Sequence, residues 1–200
     1  MPIIYQKTHF IKSAMKLSQL PKDEGVEVAF VGRSNAGKSS ALNCITGVFG
    51  LAKTSKTPGR TQCINIFEVE NNKRLIDLPG YGFAKVPVKT KSAWESLLDQ
   101  YFHSRKSLTG LCMIMDIRHP LQQLDNAMIH WATENNLLVH ILLTKADKFS
   151  RGKSLQILQE IKKALPLETI SCQLFSSTKK QGLQEARAKI SRWLLTEKEQ

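Results

Sequence analysis

Apolar and polar positions along the chain switch between two periods. Val26, Val28, Ala29, Phe30 and Val31 form a short, nearly unbroken apolar run rich in β-branched residues, which reads as a buried strand ending at Gly32. Behind Ser39 the spacing becomes helical to about Ile45 and closes at Gly47 and Gly50. Ile64, Ile66, Phe67 and Val69 mark a second strand. Asn71 and Asn72 join it so tightly to a third, at Arg74, Leu75, Ile76 and Asp77, that the two must be antiparallel. Helical periodicity over about 92–104, 121–135, 154–164 and 181–195 then alternates with apolar runs at 111–116, 137–143 and 170–175. Strands alternating with helices predict an α/β fold of three layers, a mostly parallel sheet covered on both faces.

Two polar stretches rich in turn formers, 51–63 and 78–91, read as surface loops. The first 25 residues carry Lys7, Lys12, Lys16 and Lys22, with a short helix expected before Pro21. They read as a basic arm packed on a single domain spanning 26–200, because no repeat, linker or low-complexity tract marks a second one.

Composition adds one strong fact. Lys and Arg number 29 against 17 Asp and Glu, a formal charge of +12 and a pI near 9.7, which favours phosphate-rich partners. The cysteines (Cys44, Cys63, Cys112, Cys172) are scattered without metal-ligand spacing and read as reduced packing residues. No N-terminal apolar segment stands out, and the longest apolar runs are too short to span a bilayer, so a soluble, cytoplasmic protein is expected.

The candidate chemistry sits at strand ends. Gly32, Arg33, Ser34, Asn35, Ala36, Gly37, Lys38 and Ser39 have the form G-x-x-x-x-G-K-S between a strand and a helix, the context in which backbone NH groups and a helix N-terminus converge on phosphate. Lys38 can reach the β and γ phosphates and the Ser39 hydroxyl can sit on magnesium. Asp77, Leu78, Pro79 and Gly80 follow, two strands on. A carboxylate there can hold magnesium through water, and the Gly80 NH can donate to a γ phosphate. In Thr144, Lys145, Ala146 and Asp147 the carboxylate can accept from N1–H and the N2 amine of guanine. Adenine offers neither donor, so the pattern selects GTP over ATP. The stem of Lys145 can lie along the base plane. Ser176, Ser177 and Thr178, past the last strand, can present backbone NH groups to guanine O6. In the first polar loop Thr61 competes with Thr54 and Thr57 as the second magnesium-contacting hydroxyl.

Taken together, G-R-S-N-A-G-K-S, T-P-G-R-T-Q, D-L-P-G-Y-G, T-K-A-D and S-S-T resemble the EngB (YihA/YsxC) family of bacterial GTPases, within the TrmE, Era and septin-like group, over nearly the whole chain from Val26 to Trp193. The resemblance implies a P-loop GTPase domain with a six-stranded sheet and one antiparallel edge strand. It also implies magnesium dependence, a role in assembling the large (50S) ribosomal subunit, and an association with cell division and septation. It makes Thr61 the switch threonine, assigns Ser39 and Thr61 to the metal, and places Gly59, Arg60, Thr61, Gln62 and Cys63 over the nucleotide. Lys38, Asn35, Thr61 and Gly80 become the catalytic set. Asn35 either helps hold a potassium ion beside the phosphates, as in relatives with this loop, or is chosen for its tolerance of turn geometry. Thr144 and Ser177 depart from the commoner Asn and Ala. Tyr81 stands where Ras-like proteins place a water-orienting glutamine, so intrinsic hydrolysis is expected to be slow.

Between residues 53 and 91, Lys53, Lys56, Arg60, Lys73, Arg74, Lys85, Lys89 and Lys91 outnumber Glu68, Glu70 and Asp77. Positive charge on loops that respond to a γ phosphate suits a GTP-gated binder of ribosomal RNA acting as a monomer. Lys179, Lys180, Arg187, Lys189 and Arg192 on the last helix form a second basic candidate. The alternative is a regulator bound to division-machinery proteins, with the charge incidental.

Overall fold

In the computed structural model, residues 2–53, 63–81, 88–165 and 168–196 are described, with only the backbone of 88–95. The expected residues Thr54, Lys56, Thr57, Gly59, Arg60, Thr61, Gln62 and Lys85 lie outside them, as do the side chains of Lys89 and Lys91.

Seven strands form one sheet in the order β1-β3-β4-β2-β5-β6-β7. They are β1 (His9–Ala14), β2 (Val26–Gly32), β3 (Ile64–Glu70), β4 (Lys73–Asp77), β5 (Leu108–Asp116), β6 (Val139–Thr144) and β7 (Ile170–Leu174). Pairing is parallel from β4 through β7 and antiparallel between β3 and both its neighbours. The fold class is as expected, with two corrections. The sheet has seven strands rather than six, and its edge on that side is β1, which lies beyond the strand that runs against the rest. The short helix expected before Pro21 is a single 3₁₀ turn at Leu17–Gln19, and the stretch ahead of it is this strand, itself preceded by a 3₁₀ turn at Tyr5–Lys7. All but Ala14 of β1 is exposed, so its attachment rests on backbone pairing that side-chain periodicity does not register.

Every residue of β2 is buried because helices cover both sides. Val28 and Phe30 face α1 (Lys38–Thr46) and α5 (Leu183–Leu194), packing with Leu42, Ile45, Ile190 and Trp193. Ala29 and Val31 face the other way, into a core shared with Leu97 and Tyr101 of α2 (Val88–Ser104), Ile129 of α3 (Gln123–Glu134) and Leu158 of α4 (Arg151–Ala164). Helix α2 thus begins inside the stretch expected as loop, at Val88 rather than near Ser92.

The lower end of the sheet is tied by a buried ionic cluster. Glu27, 1% exposed, accepts from Tyr101 Oη at 2.9 Å and from Arg105 Nε at 3.2 Å, and lies 3.5 Å from Arg74 Nη1. Arg105 and Arg74 also donate to the carbonyls of Pro21 and Glu24, at 3.0 and 2.9 Å. A buried carboxylate is tolerated only when paired and hydrogen-bonded in this way. With its lower end fastened, the sheet presents the C-terminal ends of its parallel strands at the opposite edge, where ligands bind in open α/β sheets.

Candidate functional site

At that edge the chain leaves β2 through Gly32, where a Cβ would lie 2.6 Å from the Ile114 carbonyl oxygen, so only glycine lets β2 and β5 approach this closely. Gly37 takes φ 97°, a left-handed conformation that leads directly into α1. Asn35 also has positive φ, 62°, a region asparagine tolerates better than most side chains. That conformation fits the turn-geometry role expected for Asn35.

The loop from Gly32 to Ser39 is laced to the turn after β4. Tyr81 N donates to the Gly32 carbonyl at 3.1 Å and Ser34 N donates to the Tyr81 carbonyl at 2.9 Å. Between them Gly80 lies flat against the loop, where a Cβ would come within 3.3 Å of the Gly32 oxygen. Lys38 Nζ pairs directly with the buried carboxylate of Asp77, whose other oxygen accepts from Asn65 Nδ2 at 3.3 Å. Ser39, in the first turn of α1, is half-buried beside this pair's lysine.

Beyond β6 the T-K-A-D turn reaches back to the same loop. Thr144 Oγ1 lies 2.5 Å from the Ala36 carbonyl and 2.9 Å from the Met115 carbonyl, its single proton serving one or shared between them, so threonine itself fastens the loop where asparagine is commoner. Lys145, at φ 59°, donates from Nζ to the Asn35 carbonyl at 2.7 Å. Ala146 N donates to the Phe175 carbonyl at 3.1 Å, and Ser176 Oγ donates to Asp147 Oδ1 at 2.5 Å, which couples the two turns expected to frame the base. The hydroxyl of Ser176 holds the Asp147 carboxyl below its ordinary pKa, keeping it an ionised acceptor. Ser176 also lies 3.0 Å from the Thr178 hydroxyl, and the Ser177 carbonyl lies 3.7 Å from Cys44 Sγ. Leu78 and Pro79 carry the chain from Asp77 to Gly80, and Cys63 is half-buried just before β3. Of the expected residues, the structure thus brings Gly32 to Ser39, Asp77 to Gly80, Thr144 to Asp147 and Ser176 to Thr178 to one edge.

Three residues of this edge, Asp116, Arg118 and Asp125, lie outside every motif, and the environment of Tyr81 shows only in the fold. Tyr81 turns away from the loop and donates to Asp125 Oδ1 at 2.7 Å, inside the protein and against α3. Asp116 and Arg118 pair beside Lys145. The only sequence signal for Asp116 was an ionisable residue ending an apolar parallel strand. Two basic residues expected to face a partner are otherwise engaged: Arg74 is buried on Glu27, and Lys73 pairs with Glu70 at 3.0 Å. On α5, Arg187 donates to the Ile45 carbonyl at 2.8 Å, and Lys189 lies over Trp193.

Residues 27–145 match the 50S ribosome-binding GTPase family. The chain is 51% identical over 195 residues to a probable GTP-binding protein EngB of Coxiella burnetii, covering 96% of this chain and 95% of that one. It is 52% identical over 191 residues to its Shigella flexneri counterpart, covering 94% and 91%. Among solved structures, that of a probable GTP-binding protein engB aligns with a TM-score of 0.69 at 19% identity over 84% of this chain and 98% of that one. Era in complex with MgGDPNP and a 16S ribosomal RNA segment aligns with a TM-score of 0.67 at 23% identity, over 88% of this chain and 59% of that one. A phosphate-loop fold of this topology, with relatives this similar along nearly its whole length, makes the chain a member of the EngB family of GTP-binding proteins, P-loop GTPases that hydrolyse GTP.

Proposed function

We propose that the chain is a GTP-gated assembly factor for the large ribosomal subunit, required for normal cell division and septation. The observation that carries the proposal is the match of residues 27–145 to a family of 50S ribosome-binding GTPases. The formal charge of +12 supports it, since a phosphodiester surface is the partner such a charge attracts. A monomeric cytoplasmic protein fits, and among the described residues no helix is long and apolar enough to cross a membrane.

In this reading Gly32 to Ser39 cradle the phosphates, Lys38 leaves Asp77 to neutralise the β and γ oxygens, and Gly80 N donates to the γ phosphate. Asp147 accepts from the guanine edge, and the turn at Ser176 to Thr178 presents donors to its carbonyl oxygen. Ser39, the Asp77 carboxylate and the phosphate oxygens form a hard, oxygen-only donor set, which fits magnesium with water completing its shell. Thr61, with Gly59, Arg60, Gln62 and Cys63, covers the phosphates in the triphosphate state. Magnesium supplies charge neutralisation when bound. Tyr81 is turned onto Asp125, so no side chain at that position orients water, and intrinsic turnover is slow. Potassium enters only through Asn35, and equal turnover in KCl and NaCl removes it.

The test is co-sedimentation with purified large ribosomal subunits. Binding is expected in a non-hydrolysable GTP analogue, weaker in GDP, and falling as salt rises. Binding that ignores both nucleotide and salt overturns the proposal.

A further inference from the structure

One acidic side chain at the nucleotide edge has no part in the reading above. Asp116 ends β5, the strand that pairs with both β2, which feeds the phosphate loop, and β6, which feeds the base-reading turn. Its carboxylate is largely buried and fully used. Oδ2 accepts from Lys145 Nζ at 2.8 Å and Arg118 Nη2 at 2.6 Å, while Oδ1 accepts from Arg118 Nε at 2.9 Å and Arg118 N at 3.0 Å. Partial burial pushes this carboxyl up. The hydrogen bonds from Arg118 and Lys145 outweigh that and hold it well below the ordinary range, so it stays ionised.

Lys145 therefore bridges two fixed acceptors, the Asn35 carbonyl of the phosphate loop and the Asp116 carboxylate, from a left-handed backbone that aims it across the site. A lysine stem is flexible, and its wall-like use along a base plane requires its far end to be held. The Asn35 carbonyl is a neutral acceptor, whereas Asp116 adds a full opposite charge to its bond with the Lys145 ammonium and so holds it more strongly. Beside them lies a cavity of ≈ 210 Å³ lined by Arg33, Ser34, Asn35, Asp116, His119 and Lys145.

The geometry points to Asp116 as a positioning residue for guanine nucleotide: it pins Lys145 against Asn35, so that the phosphate loop and the base-reading turn are held as one unit. This rests on the assignment of Lys145 and Asn35 to the nucleotide site. The bridge is made of protein groups alone and so favours no particular phosphate state. Its loss therefore weakens GDP and GTP alike, raising KM more than it lowers kcat.

The test measures the affinity of the full chain for GDP and for a non-hydrolysable GTP analogue, together with the melting temperature of nucleotide-free protein. Asp116→Ala is expected to weaken both nucleotides by a similar factor, roughly 10- to 100-fold. Arg118→Ala keeps the Lys145 bond and is expected to cost less than about threefold. Adding Asp116→Ala to Lys145→Ala is expected to cost nothing further, because one acts through the other. Asp116→Asn, which retains an acceptor for Lys145 in the same volume, gives an intermediate loss and serves if the alanine variant folds poorly. Equal losses from Asp116→Ala and Arg118→Ala, additive losses in the double variant, or unchanged affinity would each overturn the proposal. A wild-type chain that binds no guanine nucleotide would instead overturn the site itself, and Asp116 with it.

Discussion

Replacing Tyr81 with phenylalanine separates a structural tyrosine from a catalytic one. Tyr81 follows Gly80, the position from which a side chain could orient the attacking water, yet its hydroxyl donates at 2.7 Å to Asp125 Oδ1 in the interior, with Tyr81 4% and Asp125 1% exposed. Among the described residues the other hydrogen bond to Asp125 comes from the Gln122 backbone NH at 3.0 Å, where it caps α3. Burial pushes the Asp125 carboxyl above its ordinary pKa, which marks how poorly the site solvates it. Removing the hydroxyl leaves one buried oxygen without a donor. Hydrogen bonds to charged groups contribute about 1.5–3 kcal/mol, so a loss of about 2 kcal/mol is expected. For a chain of this size that lowers the melting temperature by about 4–8 °C. The backbone bonds of Tyr81 to Gly32 and Ser34 do not involve the ring, so single-turnover GTP hydrolysis should stay within about twofold. Thermal unfolding and single-turnover assays on one preparation check both halves. A tenfold or greater fall in hydrolysis with an unchanged melting temperature would refute the reasoning and return Tyr81 to the reacting centre.

Three further outcomes follow from the same structure. His140 is buried, with Nε2 2.8 Å from Gln173 Oε1 and Nδ1 2.9 Å from Ser171 Oγ, and burial pushes its pKa down to about 4. The unfolded chain (pKa about 6.5) binds the proton first, so this contribution is complete above pH about 6.5 and is lost as the pH falls toward 4, about 2 kcal/mol of it by pH 5. Urea unfolding at pH 7 and pH 5 should show a flatter pH dependence in His140→Gln, and identical slopes would exclude the assignment. Lys38→Ala strips the buried Asp77 of its cation and the phosphates of their lysine, so fluorescent-nucleotide binding should weaken by about 10²- to 10³-fold, and a loss under tenfold would contradict that role. Glu27→Ala leaves Arg74 and Arg105 without their shared carboxylate, and should destabilise the fold by about 3–5 kcal/mol, well beyond the about 1–2 kcal/mol expected for Tyr101→Phe. Chemical denaturation would rank the two, and the reverse order would show that Glu27 is not the hub.

Local chemistry made much of this protein readable from its residues in order. The strand before Gly32, the left-handed turn at Gly37 and the helix after it depend on neighbours within a few positions, so the phosphate loop is written contiguously. The strand and helix periods that set the sheet's covered core are equally local. The first strand is different: its side chains are exposed, and it exists through backbone pairing with β3 more than fifty residues away, so no pattern within residues 9–14 announces it. Charge was misread for the same reason. Arg74 looks like surface until Glu27, 47 positions earlier, is brought beside it, and the inward turn of Tyr81 shows only once Asp125, 44 positions later, is in place to accept from its hydroxyl. Sequence alone determined which backbone turns this chain can make and in what order. Which side chains those turns leave free for a ligand was decided only by folding, because burial and pairing belong to groups that meet across the sheet.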